Sequence, residues 1–366
     1  GGGSFRTREF GAGLSGEAGR TGFALSANHF HTDGIDVQET GDDDRDGYRN
    51  TSGSARITHE FANGVEVSAN ASRSQGVTQF DGFFESTEFV QQTASAGIQG
   101  GVTENWWSKL TLSQSRDESD NFGAGGFFTR FDTGRDMLQW QNDIFVGRHL
   151  LTVGADYRKD RVDSTTDYSE TSRENRGAYI QLQMELGRHA LSGSLRRDDN
   201  EAFGDHNTGQ LAWGYRLDES WRTRVSYGTA FHAPTFNELY YPDEGWFKGN
   251  PDLEPEESES YELGLKYSAG PYHFDTALFE TRIEDLIQGW PLPQPENIAE
   301  ARIRGLELEG GYQHGAWRAS AALTWLDHED TKTGNELPDR PRTTGRLDLD
   351  RDFEALSVGL TASAAG

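Results

Sequence analysis

The sequence predicts an all-β protein whose antiparallel strands form one transmembrane β-barrel. Three observations predict this fold class: residues alternate with a period of two, short turns alternate with long polar loops, and the chain is polar overall. Its 366 residues have a mean hydropathy of −0.76. No run approaches the roughly eighteen consecutive apolar residues of a membrane-spanning helix, so helical spans are excluded. A barrel remains possible because only half of its wall residues face lipid.

The strand pattern is clearest in the stretch that begins at Trp221. From Trp221 to Phe231, aromatic, valine and threonine side chains occupy every second position, and polar or small residues lie between them. A similar alternation recurs at 151–157, 180–186, 211–217 and 317–325. The longest apolar sets, at 221–231 and 317–325, span about 9–11 residues, the length that a tilted strand needs to cross a bilayer.

This period assigns side chains to the two faces of the barrel wall. Six aromatic residues are predicted to face lipid: Trp213, Trp221, Tyr227, Phe231, Trp317 and Trp325. Arg222, Arg224 and Arg318 occupy the alternate positions and are predicted to face the lumen. An arginine on the lipid face would cost roughly 2–4 kcal/mol at the bilayer midplane.

The connections between strands alternate between short turns and long loops. Short turns are predicted at 16–19, 62–64, 147–149, 187–189, 217–220 and 269–271. Long loops are predicted at 32–49, 75–89, 117–132, 159–173, 232–257, 284–300 and 328–341. This arrangement gives about eighteen strands, with the short turns at the periplasmic end and the long loops outside.

Charge and motif content exclude several functions. The net charge of −26 argues against nucleic acid as a partner. The ten histidines form no zinc-binding H-E-x-x-H motif, and no G-x-S-x-G nucleophile elbow occurs, so we predict no enzyme activity and no catalytic residues. The adjacent carboxylates of Glu256 and Glu257 follow a proline-rich turn and are expected to be solvated.

The first long loop contains a candidate cation site. Asp42, Asp44 and Asp46 alternate with other residues and are followed by Gly47, and Asp36 lies shortly before them. Alternate carboxylates in a tight loop converge on one hard cation such as Ca²⁺. The loop is not an EF-hand, because Gly53 occupies the position of the bidentate glutamate. From spacing alone, a solvated acidic loop is an equally good interpretation.

Several motifs resemble the barrel of TonB-dependent outer-membrane receptors. They are the segments 227–231, 233–234, 237–240, 249–258 and 301–309. The most specific is the loop Gly-Asn-Pro-Asp-Leu-Glu-Pro-Glu-Glu-Ser, which includes Asn250, Pro251, Leu253, Pro255 and Glu256. The resemblance implies a complete barrel of twenty-two strands, a large one for this architecture. Residues 1–366 are then expected to be an incomplete barrel domain, with a plug domain upstream and the last strands downstream.

Within this family the chain is most similar to the receptors for cobalamin (vitamin B12). That similarity implies calcium between the first two long loops, with six ligands: Asp36, Asp42, Asp44, Asp46, Asp81 and Glu85. Asp42 stands where the family often has an amide, and Glu85 where it has an aspartate. Gly82 and Thr133 match residues that contact the corrinoid. Four loop aromatics, Tyr240, Tyr241, Trp246 and Phe247, either pack on the ligand or fix the loop, and we favour the second role.

The resemblance implies active uptake of cobalamin or a related corrinoid across the bacterial outer membrane. The partners would be this large chelate, the TonB complex acting through the plug, and outer-membrane lipid with lipopolysaccharide, around a monomeric barrel. A siderophore or haem receptor of the same architecture is the first alternative. A passive porin-like barrel is the second, although porins lack the 249–258 loop.

Overall fold

A computed structural model describes residues 1–36, 44–82, 84–289, 292–337 and 340–366, without the side chains of 298 and 299. Within these ranges the chain forms eighteen strands and one short helix. The strands are β1 (Arg8–Ala18), β2 (Thr21–Thr32), β3 (Tyr48–Glu60), β4 (Glu66–Gln79), β5 (Ser86–Thr103), β6 (Trp106–Gly123), β7 (Gly126–Val146), β8 (His149–Ser164), β9 (Ser172–Leu186), β10 (His189–Asn200), β11 (Gly204–Arg216), β12 (Trp221–His232), β13 (Glu256–Ala269), β14 (Tyr272–Gln288), β15 (Glu296–His314), β16 (Trp317–Asp330), β17 (Thr343–Phe353) and β18 (Leu356–Ala365). The helix α1 (Phe236–Tyr240) lies between β12 and β13.

The strands form a single meander in which each pairs antiparallel with the next in sequence. The eighteen strands and the short turns predicted from the sequence are confirmed. Gly147 and Gly187 open two of these turns with φ of 63° and 64°, a conformation that favours glycine. None of the helices formed by the described residues has the length and apolarity needed to cross a membrane.

One of the predicted long loops is wrong, and three others are shorter than predicted. Segment 117–132 is a continuous hairpin, because β6 extends to Gly123 and β7 begins at Gly126. Strand residues make up just over half of each of the segments 75–89, 159–173 and 284–300, which leaves shorter loops between the strands. Cross-strand ion pairs explain the extension: Arg116 binds Asp132 at 2.8 Å from Nε, and Arg130 binds Asp120. Opposite charges on facing or diagonal positions of neighbouring strands stabilise a ladder that continues beyond the apolar band.

The outward face carries the apolar residues that the period predicted. The register places Trp213 opposite Val225 and Val225 opposite Leu263, so the three share one face. Trp325 joins the same apolar groove and is 49% exposed. In a soluble protein such exposure would be unfavourable, whereas lipid covers it in a membrane. The predicted outward face of β11, β12 and β16 is therefore confirmed.

The inward face is charged and hydrogen-bonded. Arg224 donates to Glu262 from Nε at 2.7 Å and to Asp275 from Nη1 at 2.8 Å. Any side chain at Gly264, on the neighbouring strand, would overlap this guanidinium. Arg222 lies opposite Lys266 on the same face. The predicted lumenal position of both arginines is confirmed, although the partners of Arg224 are carboxylates of the wall itself.

The loop after β12 folds around α1. Thr235 caps the helix: its hydroxyl accepts from the Glu238 amide at 3.3 Å, and the Glu238 carboxylate accepts from the Thr235 amide at 2.7 Å. This reciprocal pair satisfies two amide groups that a helix start would leave unbonded. Leu239 is 1% exposed, and Gly249 lies so close to its carbonyl that an added Cβ would be 2.6 Å from the oxygen.

The 249–258 motif joins this loop to the segment before β15. Asn250 donates from its side chain to the Pro295 carbonyl at 2.9 Å, and its own Oδ1 accepts from the Asp252 amide at 3.1 Å. Leu253 is 4% exposed. Glu256, expected to be solvated, instead accepts from the Ile287 amide at 2.8 Å. In the structure the motif residues bind neighbouring backbone, so their spacing reflects the folding of the loop.

A half-buried arginine on β9 fixes the other side of the same loop. The Arg173 side chain is 12% exposed, and its Nη1 donates to the Pro234 carbonyl at 2.6 Å. Its guanidinium carbon lies 5.0 Å from the centroid of the Phe236 ring, a cation–π distance. Nε lies 3.7 Å from Asp160, which keeps the charge paired. Arg173 therefore holds the start of α1 against the inner wall.

We predict that Val225→Arg impairs assembly much more than Arg224→Ser. The first substitution places a charge on the lipid face, at a cost of roughly 2–4 kcal/mol near the midplane. The second leaves Glu262 and Asp275 on a hydrated face. The measurement is the folded fraction after refolding into lipid vesicles, read from heat-modifiable gel mobility. Equal folded fractions for the two variants would contradict the assignment of faces.

We also predict that Arg173→Met loosens the α1 loop. A hydrogen bond from a charged group contributes about 1.5–3 kcal/mol, so amide hydrogen exchange in 234–250 should become at least about tenfold faster. Arg176→Met is the matched control, because Arg176 lies on the same strand and its side chain is 70% exposed. If both variants exchange at the parent rate in this segment, Arg173 does not restrain the loop.

Candidate functional site

The first two outer loops meet above β2–β5, and the first is held closed at its base. The Asp46 amide donates to the Ile35 carbonyl at 3.1 Å, which brings the two arms of the loop together. Gly34, with φ of 67°, lies so near the Asp46 carbonyl that any side chain would overlap it. Only glycine combines this backbone conformation with this close approach.

The second loop is held between its neighbours on both sides. The Gln79 amide donates to the Gly47 carbonyl at 2.9 Å, which links the base of the second loop to the first. The Glu85 amide donates to the Phe122 carbonyl at 2.8 Å, at the tip of the β6–β7 hairpin. The ring of Phe84 meets that of Phe128 edge-on, with centroids 5.4 Å apart.

These contacts bring three carboxylates of the two loops together. One oxygen from each of Asp36, Asp46 and Asp81 lies within 4.8 Å of the other two. Asp36 is exposed, whereas Asp46 and Asp81 are half-buried. The cluster therefore combines both arms of the first loop with the start of the second.

The other predicted calcium ligands are not part of this cluster. Asp44 and Glu85 are exposed and lie outside it. Asp42 falls in 37–43, outside the described residues. The structure thus brings three of the six predicted ligands together.

The chemistry of the three carboxylates fits a hard divalent cation. At an effective dielectric constant of about 20, two unit charges at this separation repel by roughly 3 kcal/mol. A cation bound among the three carboxylates would replace this repulsion with a net attraction. Ca²⁺ takes six to eight oxygen ligands in flexible geometry, and three carboxylates offer up to six oxygens.

A second feature is a polar cavity of about 890 Å³ on the inner side of the wall. Its floor carries hydroxyl side chains from consecutive strands: Ser26, Ser54, Ser72, Thr93, Ser115 and Thr133. Residues from β2 to β9 and from α1 line this one space, so the sheet curves around it. The hydroxyl groups can donate to and accept from a polar ligand at many points.

The two predicted substrate contacts lie in different places. Thr133 is on the inner face of β7, lines the cavity, and donates to the Asp117 carbonyl at 3.4 Å. Gly82 lies in the second loop next to Asp81, is exposed, and is not among the residues that line the cavity. Its φ of 147° favours glycine.

The loop aromatics pack mainly on one another. The Tyr241 ring lies 5.5 Å from that of Phe247 and 5.9 Å from that of Tyr168. Trp246 and Phe247 are 5.9 Å apart, and Trp246 is 57% exposed. These contacts agree with a role in fixing the loop.

Sequence reasoning missed a charged group at the outer end of the cavity. Asp160 is 6% exposed and binds Arg135 at 2.6 Å, with Arg158 at 3.4 Å and Arg173 at 3.7 Å. Three arginines around one carboxylate leave an excess of positive charge facing the lumen. The only sequence signal was the period of two. It places these residues on the inner face but gives no strand register.

A buried tyrosine in the 165–171 loop was missed as well. Tyr168 is 7% exposed and donates from its phenol to Oδ1 of Asn237 on α1. Burial raises the pKa of Tyr168 above its usual value. The phenol therefore stays protonated and keeps donating at physiological pH.

Sequence comparison supports the resemblance found from the motifs. The profile of the family described as "TonB dependent receptor-like, beta-barrel" matches residues 2–365. The "Vitamin B12 transporter BtuB" of Photobacterium profundum is 27% identical over 383 residues, which cover 100% of this chain and 62% of that protein. The protein of the same name from Vibrio vulnificus is 29% identical over 327 residues, or 85% of this chain and 53% of its own length. The chain thus spans about three fifths or less of these relatives.

Structure comparison gives the same architecture. A mutant ferric enterobactin receptor (PfeA) of Pseudomonas aeruginosa aligns with a TM-score of 0.86 and 18% identity, covering 98% of this chain and 65% of that one. The siderophore receptor PirA of Acinetobacter baumannii aligns with a TM-score of 0.84 and 17% identity over the same shares. At this identity the likeness shows the fold alone. Together with the profile match over 2–365, it establishes that the chain belongs to the family of TonB-dependent receptor β-barrels.

Proposed function

We propose that this barrel belongs to a bacterial outer-membrane receptor that imports cobalamin or a related corrinoid with TonB-derived energy. The observation that carries the proposal is the meeting of Asp36, Asp46 and Asp81 from two separate outer loops. Both relatives described above are named as vitamin B12 transporters, which supports the choice of substrate.

In this proposal the three carboxylates hold a calcium ion that orders the two loops before substrate arrives. The ion supplies the positive charge that offsets their mutual repulsion. Contacts within the chain also order the two loops. Gly34 and the hydrogen bond from Asp46 to Ile35 close the first loop, and Glu85 and Phe84 anchor the second loop to the β6–β7 hairpin. Loops ordered in advance lose less entropy when a ligand binds, so affinity rises.

During transport the substrate then passes along the inner wall of the barrel. A corrinoid carries many amide groups, and the hydroxyl groups along the cavity floor offer partners for them. A plug domain inside the barrel would close the path until the TonB complex displaces it. No chemical change of the substrate is involved, and the chain's residues only bind, orient and release it.

An anionic iron chelate is the second candidate. Its support is the excess positive charge of Arg135, Arg158 and Arg173 around Asp160 at the outer end of the cavity. An anionic ligand gains from such a field, whereas a corrinoid, which has little net charge, gains less. The carboxylate cluster has no role in recognising such a chelate, so calcium dependence separates the two candidates.

We predict that calcium tightens cobalamin binding to the full-length receptor by at least about tenfold, within the usual range of coupling between two sites. Because linkage is reciprocal, cobalamin should tighten calcium binding by the same factor. The measurement is calorimetric titration with cobalamin, first in calcium and then in chelator. Equal affinities in both conditions would refute the role of calcium, and no cobalamin binding in either would favour the iron chelate.

A matched pair of variants tests the cluster itself. Asp46→Asn removes one charge from the three carboxylates, so calcium affinity should fall at least about tenfold and the calcium dependence of cobalamin binding should disappear. Asp44→Asn changes the same loop at an exposed carboxylate outside the cluster and should leave both nearly unchanged. Direct calcium titration without cobalamin provides the readout. Equal calcium losses for the two variants would mean that the described cluster does not hold the ion.

A further inference from the structure

The 165–171 loop between β8 and β9 contacts the β6–β7 hairpin at one end and α1 at the other. At its start, the Thr165 hydroxyl lies 2.9 Å from the hydroxyl of Thr129 and accepts from the Arg130 amide at 3.0 Å. The Thr165 amide donates to the Arg130 carbonyl at 3.2 Å. The loop is therefore fastened to the hairpin close to the outer tip of the hairpin.

The contact of this loop with α1 depends on one side chain. Tyr168 is 7% exposed, donates to Oδ1 of Asn237 on α1, and has its ring 5.9 Å from that of Tyr241. The other six residues of the loop are exposed or half-buried. Tyr168 also lines the polar cavity, together with Phe236 and Asn237. The phenol thus joins the loop to α1 at the side of the cavity that α1 forms.

The same hairpin contacts the second outer loop, which carries Asp81 of the carboxylate cluster. The Phe80 amide donates to the Glu85 carbonyl at 3.2 Å and closes this loop around Asp81. The Glu85 amide donates in turn to the Phe122 carbonyl at the hairpin tip. An ordered second loop therefore restrains the tip of the hairpin.

These contacts form a continuous series from the second loop through the hairpin and the 165–171 loop to α1. Two other contacts hold the α1 loop: Arg173 on β9 donates to the Pro234 carbonyl, and Asn250 donates to the Pro295 carbonyl just before β15. Both of them bind the α1 loop to parts of the chain other than the hairpin. Of the three contacts, the one from Tyr168 connects α1 to the hairpin.

Such a series can transmit order without any large movement. Surface loops open locally at low cost in free energy, so each contact in the series is made for only part of the time unless its partner is held. A ligand that orders one member lowers the entropic cost of ordering the next. One hydrogen bond changes an equilibrium constant by roughly two- to twelvefold, which limits the effect that Tyr168 can transmit.

We propose that Tyr168 is a positioning residue that makes the order of α1, and so the shape of the cavity, depend on calcium at the first two outer loops. This inference rests on the proposed function, because it takes calcium to be the ligand of the three clustered carboxylates. Calcium orders the second loop, the second loop restrains the hairpin tip, and the hairpin restrains the 165–171 loop. Tyr168 then fixes α1 before the substrate arrives.

The test is amide hydrogen exchange, read by mass spectrometry, on the full-length receptor in detergent with calcium and with chelator. In the parent, calcium should slow exchange at 84–88, at 121–130 and, by about fivefold, at 236–241. Tyr168→Phe removes only the hydroxyl, so the calcium effect at 236–241 should fall below about twofold. The effects at 84–88 and 121–130 should remain. Calcium titration of each variant ensures that exchange is compared at full occupancy.

Three further variants serve as controls. Tyr157→Phe makes the same deletion on the outward face of β8, opposite Leu138, and should keep the full calcium effect. Asn237→Asp keeps an accepting oxygen and should also keep it, whereas Asn237→Leu should lose it. Tyr168→Phe combined with Asn237→Leu should be no worse than either change alone, because both break the same bond.

The proposal is overturned if Tyr168→Phe speeds exchange at 236–241 equally with and without calcium, the result that a merely structural tyrosine would give. It is overturned as well if calcium slows 84–88 in the parent but not 236–241, an outcome that leaves the proposed role of calcium intact. If calcium does not slow 84–88 in the parent, the proposed role of calcium fails, and this inference fails with it.

Discussion

The constraint on which the rest of this structure depends is backbone hydrogen bonding in hydrocarbon. Lipid offers no partner to an amide or a carbonyl, so every strand in the bilayer must be satisfied by its neighbours. Each strand from β2 to β17 does this by pairing with the strand before it and the strand after it. Side chains then follow the pleat, which places Trp213 and Val225 outside and Arg224 inside. The positions of the strand ends then determine where the loops lie.

Much of the fold could be predicted because the period of two is a local property. The lipid face of Trp325 and the lumenal face of Arg224 follow from parity alone. The hairpin at 117–132 could not be predicted, because its many polar residues are typical of a loop. Only the register brings Arg116 to Asp132 and Arg130 to Asp120 and so extends the ladder. The sequence of one strand does not specify which residues of the neighbouring strand it will face.

The candidate site was predictable to a smaller extent. Spacing identified the acidic first loop, and the resemblance added Asp81, which the structure places beside Asp36 and Asp46. The positions of Asp44 and Glu85 outside that cluster could not be predicted, because loop conformation depends on contacts such as Gly34 against Asp46. The same holds for Asp160, whose three arginine neighbours come from β7, β8 and β9.

The consecutive pairing of the strands also bears on how the protein can assemble and evolve. Each strand pairs with its neighbour in sequence, so every loop closure is local, its entropy cost stays moderate, and strands can be added one at a time. A tight outer turn such as 124–125 joins β6 to β7 and takes no part in the pairing of any other strands. Extra residues there would lengthen a surface loop and leave every register intact. The wall can thus remain constant while the outer surface diversifies by insertion.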